Sequence, residues 1–331
     1  MHLRPDHAVR DLPTLHAFIK QHPLGVLTTS LPSKDHQTLQ CSHIPWVLDS
    51  ETALDTELAD QAKEADNESS AAPSYPQMGV LRGHIARQNP QSKAMVESAE
   101  STKPVRIPGA FPTPTSEEPP PAGYTLPDEV LIVFTSPVDH YITPNFYTES
   151  KRATGRVAPT WNYAAVQVYG RATIYHTRTE QTEQFLRQQL GDLARLGEEG
   201  IMRFQDESGS VDVKHGKAGS GDGEGSRNES LDWELGQGAV TGNGNGTASP
   251  VPVPVSGPVP WKIADAPRDY IAGLLRNIVG IKIEITRVEG RFKVSQERPV
   301  NDRRGVVEGL ERMGGTAREM AEFVRQGKVL A

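Results

Sequence analysis

The chain has 331 residues, a formal net charge of −7, 36% hydrophobic residues and a single cysteine, Cys41. An acidic balance argues against broad electrostatic binding to nucleic acid, which relies on clustered Lys and Arg to displace counterions. One thiol excludes an internal disulfide and a Cys-rich metal site, and no apolar run approaches the roughly 20 residues of a membrane-spanning helix. The chain therefore reads as intracellular, cytoplasmic or nuclear, with no membrane partner. The low hydrophobic fraction fits one compact core diluted by polar insertions.

Asp11 is a suitable N-cap for a first helix, Pro13 is tolerated in its first turn, and Leu12, Leu15, Phe18 and Ile19 form its apolar stripe. His22-Pro23 ends it. Gly25–Thr29 reads as a first strand and Gln40–Leu48 as a second. Pro45 removes one ladder bond, so the second strand is expected at an edge or with a bulge. An acidic, Ala/Ser-rich insertion spans about 51–77. A third strand follows at Val80–Ile85, then a turn and short helix to Glu100. A second insertion, about 103–128, contains Pro119-Pro120-Pro121, which favours extended polyproline geometry.

Glu129–Phe134 is the clearest buried strand. The next begins near Trp161 and alternates, with Ala164, Val166 and Val168 on one side and Ala165, Gln167 and Tyr169 on the other. Thr177–Glu180 resembles a capping box before a helix carrying Phe185, Leu186, Leu190 and Leu193. From about 206 to 258 the chain is dominated by Gly, Ser, Asn and Pro, and is expected to be disordered because it has too few apolar groups to offset ordering entropy. A helix over 267–277 is expected to bury Tyr270, Ile271, Leu274 and Leu275. A strand with Ile281, Ile283 and Ile285 on one face follows, and Gly290 is expected to turn it back into Phe292 and Val294. The C-terminus reads as helical, with Val306, Val307, Leu310, Met320, Phe323 and Val324 as core candidates.

Six or more strands without regular strand–helix alternation exclude a doubly wound parallel sheet. The expected class is mainly β with peripheral helices (α+β), built as a small antiparallel barrel. One domain is expected, its first part over 1–205, interrupted at 206–258 and completed by 259–331.

Four blocks carry a resemblance. They are Arg82-Gly83-His84-Ile85-Ala86-Arg87-Gln88-Asn89-Pro90, His140-Tyr141-Ile142-Thr143-Pro144, the run from Pro159 to Gly170 that opens Trp161-Asn162-Tyr163, and the segment from Pro260 to Gly309. In this order they resemble the PaiB-type family of FMN-binding negative transcriptional regulators, and the three long insertions suggest a fungal member. The resemblance implies an FMN-binding split β-barrel that dimerises. It implies that Ser42, His43, Ile44 and Pro45 run along the flavin, and that His84, Ala86, Arg87, Asn89 and Pro90 form the turn that holds the ribityl chain and phosphate, with Arg87 as the phosphate cation. Trp161, Asn162 and Tyr163 would close the site, supplied by the partner subunit. Lys293 and Gln296 are the candidates on the last strand. Glu297 stands where the family carries Asn, and a carboxylate there disfavours a phosphate contact.

The ordinary readings compete. Arg87 could be a solvated surface charge, and Trp161, Asn162 and Tyr163 could be core packing with Asn162 capping a turn. The ten histidines show no close spacing that supports a metal site. Haem is a minor alternative cofactor, because a related split-barrel group holds it through histidine. No nucleophile elbow, phosphate loop or paired-carboxylate signature is present, and Ser42-His43 face opposite ways on a strand. Three functions remain: a flavoprotein that acts as an oxidoreductase on an unknown small molecule, a regulator acting through a ligand or partner without reading bases, and a flavin-, haem- or metabolite-binding protein without turnover.

Overall fold

The computed structural model describes residues 1–50, 78–101, 123–205 and 259–327. The insertions expected over 51–77 and 206–258, and most of that over 103–128, lie outside these residues. The strands are β1 (Ala8–Val9), β2 (Leu24–Ser30), β3 (Leu39–Pro45), β4 (Val47–Asp49), β5 (Val80–Ala86), β6 (Tyr124–Thr125), β7 (Val130–Thr135), β8 (His140–Ile142), β9 (Thr160–Tyr175) and β10 (Ile278–Lys293). The helices are α1 (Leu12–Gln21), α2 (Pro90–Ser101), α3 (Ser150–Ala153), α4 (Glu180–Arg195), α5 (Arg268–Arg276), α6 (Val300–Met313) and α7 (Gly315–Gln326).

Every strand pairing is antiparallel, in the order β3-β2-β7-β9-β10-β5-β4. The two ends of this path are consecutive in the chain. β3 and β4 are separated only by Trp46, so one stretch of backbone pairs with β2 before Trp46 and with β5 after it. That exchange curls the sheet into a half-barrel whose two end strands, β3 and β4, are joined through Trp46. The single strand expected over Gln40–Leu48 is thus divided at Trp46, just after Pro45, where the pairing partner changes. Trp46 is 1% exposed. Its ring lies on Gly83 of β5, where an added Cβ would meet the indole at 2.9 Å.

The barrel interior follows the strand alternation. Leu27, Ile132, Phe134, Val166, Val168, Ile281, Ile283 and Ile285 share one buried cluster with Phe18 and Ile19 of α1. Asp11 caps α1 by accepting from the Thr14 N–H at 3.0 Å. The C-terminal helices add Val306, Leu310, Met320 and Val324 to the same core, and Val307 and Phe323 pack against it partly buried. The antiparallel β architecture with peripheral helices is as expected.

Three local expectations are corrected. Gly290 does not turn the chain: β10 runs unbroken through it to Lys293, and Gly290 instead makes room for Leu15 of α1, whose side chain a Cβ would strike. On α5 only Ile271 and Leu275 are buried, whereas Tyr270 and Leu274 face outward. Tyr270 and Leu274 form one stripe four residues apart and Ile271 and Leu275 the next, and only the second packs against Leu186 of α4. The second insertion ends before Asp128, because Tyr124–Thr125 already pairs with β9 and Leu126 is buried.

Candidate functional site

The candidate residues fall into two groups, one at the start of β9 and one around the β5–α2 turn, whose Arg87 bonds the far end of the β9–β10 ribbon at His176 O and Ile278 O. Tyr163 pairs with Lys293 at one end, and Tyr175 pairs with Gly280 at the other. From position 163 to position 175 an extended strand covers about 40 Å at about 3.3 Å per residue. Along this contour Tyr163 and Arg87 lie further apart than a single mononucleotide reaches.

The first group gathers where β5 turns into α2. The Asn89 backbone N–H donates to Ala86 O at 3.0 Å, closing the turn. Pro90 then occupies the first helical position, where its missing N–H costs nothing. The Asn89 side chain acts in two directions: Oδ1 accepts from the Gln91 N–H at 2.8 Å, and Nδ2 donates to Ser42 Oγ on β3 at 3.1 Å. Gln91, 1% exposed, holds Nε2 at 3.1–3.2 Å from Leu27 O, Thr29 Oγ1 and Gln40 O, three acceptors that share its two N–H groups. The start of α2 is thereby fixed to β2 and β3.

Ser42, Asn89, Pro90, Gln91, Gln40 and Cys41 line a shallow cavity of about 560 Å³ there. Two buried amide atoms of its wall, Gln40 Nε2 and Gln91 Oε1, have no hydrogen-bond partner among the described residues. Unpaired buried amides carry a desolvation cost of about 1–3 kcal/mol each. The Ser42 hydroxyl and the amide side chains of Asn89, Gln40 and Gln91 in this lining suit a ligand with alternating polar groups, such as the ribityl hydroxyls or the pyrimidine edge of a flavin. These residues fit part of FMN. Ser42, Asn89, Gln40 and Gln91 would hold its polar groups.

β3 divides its candidates between two faces. Ser42 faces the Asn89 turn, while His43 is exposed on the opposite face beside Val26 of β2. Pro45 pairs with Leu24. The Ile44 side chain is 2% exposed and belongs to the core, so only its backbone is left for a ligand. His84 Nδ1 bonds Gln189 Oε1 of α4 at 2.8 Å. Burial holds the His84 pKa below its ordinary value, and the Gln189 bond opposes that shift.

Arg87 is neither a free surface charge nor an open phosphate hand. Its Nη2 donates to His176 O at 3.0 Å and Ile278 O at 3.2 Å, and its Nε to Arg276 O at 3.2 Å. It clamps the ends of β5, β9 and α5 to one another. Arg87 also lines a second cavity, of about 430 Å³, shared with Arg178 and Arg276.

The second group lies at the start of β9. Trp161 is 52% exposed. Its Nε1 donates to Asp139 Oδ1 at 2.8 Å, and its ring meets Tyr141 edge-on at a centroid distance of 6.0 Å. Tyr163 sits under the Arg291 guanidinium at 5.7 Å. The Lys293 ammonium donates to Thr160 Oγ1, and its pKa is lowered first by burial and then by Arg291, Arg298 and Arg4 against the opposing Glu297.

Two candidates of this group bond within the chain. Asn162 is fully buried and donates from Nδ2 to Ser295 Oγ at 2.9 Å. Gln296 closes the turn after β10: its Nε2 donates to Phe292 O at 2.6 Å and Asp6 O at 2.8 Å, and its Oε1 accepts from the Val294 N–H at 2.7 Å. Gln296 uses both amide hydrogens and its oxygen within the chain, and Asn162 is enclosed beside Ser295. Glu297 pairs with His7 at 3.1 Å and Arg298 at 3.4 Å.

The sequence reading missed Gln40 and Gln91 as cavity residues, and Arg178 and Arg276 beside Arg87. Gln91 carried a signal: a polar residue just after an Asn-Pro helix start, on the face that the helix turns inward. No spacing pattern links Arg87 to Arg178 or Arg276, which the barrel brings together from three elements.

Over residues 1–211 and 246–287 the chain matches the family model described as "Putative FMN-binding domain". The chain belongs to this family. An uncharacterised protein of Aspergillus fumigatus is 38% identical over 315 residues, covering 95% of this chain and 92% of that protein. An uncharacterised protein of Emericella nidulans is 34% identical over 328 residues, covering 98% and 97%. Among solved structures, a protein of Bacteroides thetaiotaomicron described as a "putative 5-nitroimidazole antibiotic resistance protein" aligns with a TM-score of 0.32 at 6% identity, over 86% of this chain and 84% of its own. The flavocytochrome Anf3 of Azotobacter vinelandii aligns with a TM-score of 0.35 at 8% identity, over 88% and 72%.

Proposed function

We propose that this protein binds FMN in a homodimer, with the β3–α2 cavity of one subunit facing the Trp161–Tyr163–Lys293 end of its partner. The observation that carries this reading is the polar Ser42–Asn89 cavity, lined also by Gln40 and Gln91, in a chain from an FMN-binding family. The separation of the two groups supports a dimer. A two-fold axis crossing β9 near its middle would set the start of one β9 beside the end of the other.

The outer face of β2 and β7 suits such a contact. Val26 pairs with Val133, Thr28 with Leu131, and Val26, Leu131 and Val133 are only half-buried in the single chain. Trp161 and Tyr163 would give the flavin an apolar wall, and Lys293 a positive charge. FMN held there would supply one- or two-electron redox chemistry. An oxidoreductase is the activity that best suits this reading. The chain's own residues would orient the ring and exclude water from one face.

Direct reading of DNA is disfavoured by the net charge of −7. A regulatory role would therefore run through the ligand or a protein partner. Titration of the purified chain with FMN, followed by flavin fluorescence and sedimentation, tests the proposal. The expectation is saturable quenching by a dimer at one FMN per chain. A protein that stays monomeric, or leaves FMN fluorescence unchanged, overturns it.

A further inference from the structure

The second cavity, between α4, α5 and the β5–α2 turn, lies outside the Ser42–Asn89 site. Three arginines line it: Arg87 after β5, Arg178 between β9 and α4, and Arg276 at the end of α5. Thr177 and Thr179 add hydroxyls, and Leu186 and Leu275 form apolar wall.

Three arginines face two carboxylates here, Glu180 and Glu183, and Arg87 also lines a neighbouring cavity with Glu97 and Glu100. Among the described residues neither Arg178 nor Arg276 has a side-chain hydrogen bond or ion pair, and Arg87 bonds only to neutral carbonyls. Of the two carboxylates on the rim, Glu183 is engaged by Arg187 at 2.7 Å. Glu180 stays exposed in the first turn of α4. The Arg87 pKa is lowered, by burial first and by the Arg178 charge second. Like charges held this close disfavour each other unless an anion joins them.

Two further features agree. Thr177 Oγ1 is buried without a hydrogen-bond partner among the described residues. The cavity also opens at the N-terminus of a sixteen-residue helix capped by Thr179, where partial positive charge favours anions. Planar guanidinium groups match the geometry of phosphate oxygens better than ammonium groups do.

We infer that this cavity is a phosphate-binding site, in which Arg178, Arg276 and Arg87 hold the terminal phosphate of a small ligand and Leu186 and Leu275 bear on its apolar part. The phosphate could be that of FMN itself or of a separate phosphorylated metabolite, and the chemistry recognised is the same. The inference does not depend on flavin binding, because inorganic phosphate alone tests it.

The experiment is a titration of the full chain with inorganic phosphate, at constant ionic strength, read by ³¹P line broadening and by thermal unfolding. Wild type, Arg178→Ala and Arg276→Ala are compared. Both arginines are exposed, so both variants are expected to fold. Saturable binding that weakens about tenfold in each variant, the loss of one charge-assisted contact of roughly 1.5 kcal/mol, is the expected result. A parallel arm compares FMN with riboflavin. If the arginines hold the flavin phosphate, the variants lose affinity for FMN and keep it for riboflavin. If they hold another ligand, the phosphate effect persists while FMN and riboflavin are unaffected. Absence of saturable phosphate binding to the wild type, or binding equal in all three proteins, overturns the inference.

Discussion

Asn89 Nδ2 donates to Ser42 Oγ at 3.1 Å while Asn89 Oδ1 accepts from the Gln91 N–H at 2.8 Å. One side chain thus starts α2 and fastens it to β3, at the rim of the cavity lined also by Gln40 and Gln91. Asn89→Ala should cost about 1–2 kcal/mol of stability from the lost cap and weaken FMN binding besides. Asn89→Asp keeps an acceptor for the Gln91 N–H but loses the donor to Ser42. It should recover stability in urea denaturation while leaving FMN affinity impaired. Equal recovery of both would show that Asn89 acts on the fold alone.

The Asn162–Ser295 pair makes the contrasting prediction. Both residues are fully buried and bonded to each other at 2.9 Å. Asn162→Ala leaves the Ser295 hydroxyl without its partner and should destabilise the protein by about 1–3 kcal/mol. In native buffer, the folded fraction should bind FMN as wild type does. A selective loss of FMN affinity without loss of stability would return Asn162 to the ligand site.

Much of the barrel was legible because period-two alternation, as in Val166 and Val168 or Ile281, Ile283 and Ile285, directly reports one buried face. What was not legible depended on contacts distant in sequence. Gly290 resembles a turn residue locally, yet it is the packing of Leu15 that requires a missing side chain there. Asn162 and Gln296 resemble ligand amides, yet Ser295, Asp6 and Phe292 use their hydrogen-bonding groups. Arg87 was legible as a cation at a structured turn. That it spends its donors on three carbonyls, and meets Arg178 and Arg276, follows only from how β5, β9 and α5 end together.

Stability should depend on pH in a defined direction. Burial lowers the pKa of His16, His22 and His84 in the folded chain from the ordinary value of 6.5. Between each lowered value and 6.5 the unfolded chain binds more protons, so stability rises with pH in that window and levels off above it. Unfolding free energy from pH 5 to 8 checks this. His84→Gln should flatten the slope below about pH 6.5, and a stability that falls as pH rises to 6.5 would contradict the assignment.

The exposed aromatic end of β9 should matter to assembly and ligand, not to folding. Trp161 is 52% exposed. Trp161→Ala should change stability by less than about 1 kcal/mol, since surface substitutions are usually within ±0.5 kcal/mol and one hydrogen bond is lost. It should raise the dissociation constant of the dimer, of the FMN complex, or of both together. Sedimentation with and without FMN reads this. Unchanged assembly and unchanged FMN affinity would remove the partner's β9 from the site.

The most direct test of the account is the visible spectrum and FMN fluorescence of the purified chain as it is titrated with FMN, beside Gln91→Ala. The account predicts flavin bands retained through gel filtration, quenching that saturates at one FMN per chain, and weaker binding in the variant. A Soret band would instead indicate haem. A colourless protein that leaves FMN fluorescence unquenched would contradict the central claim.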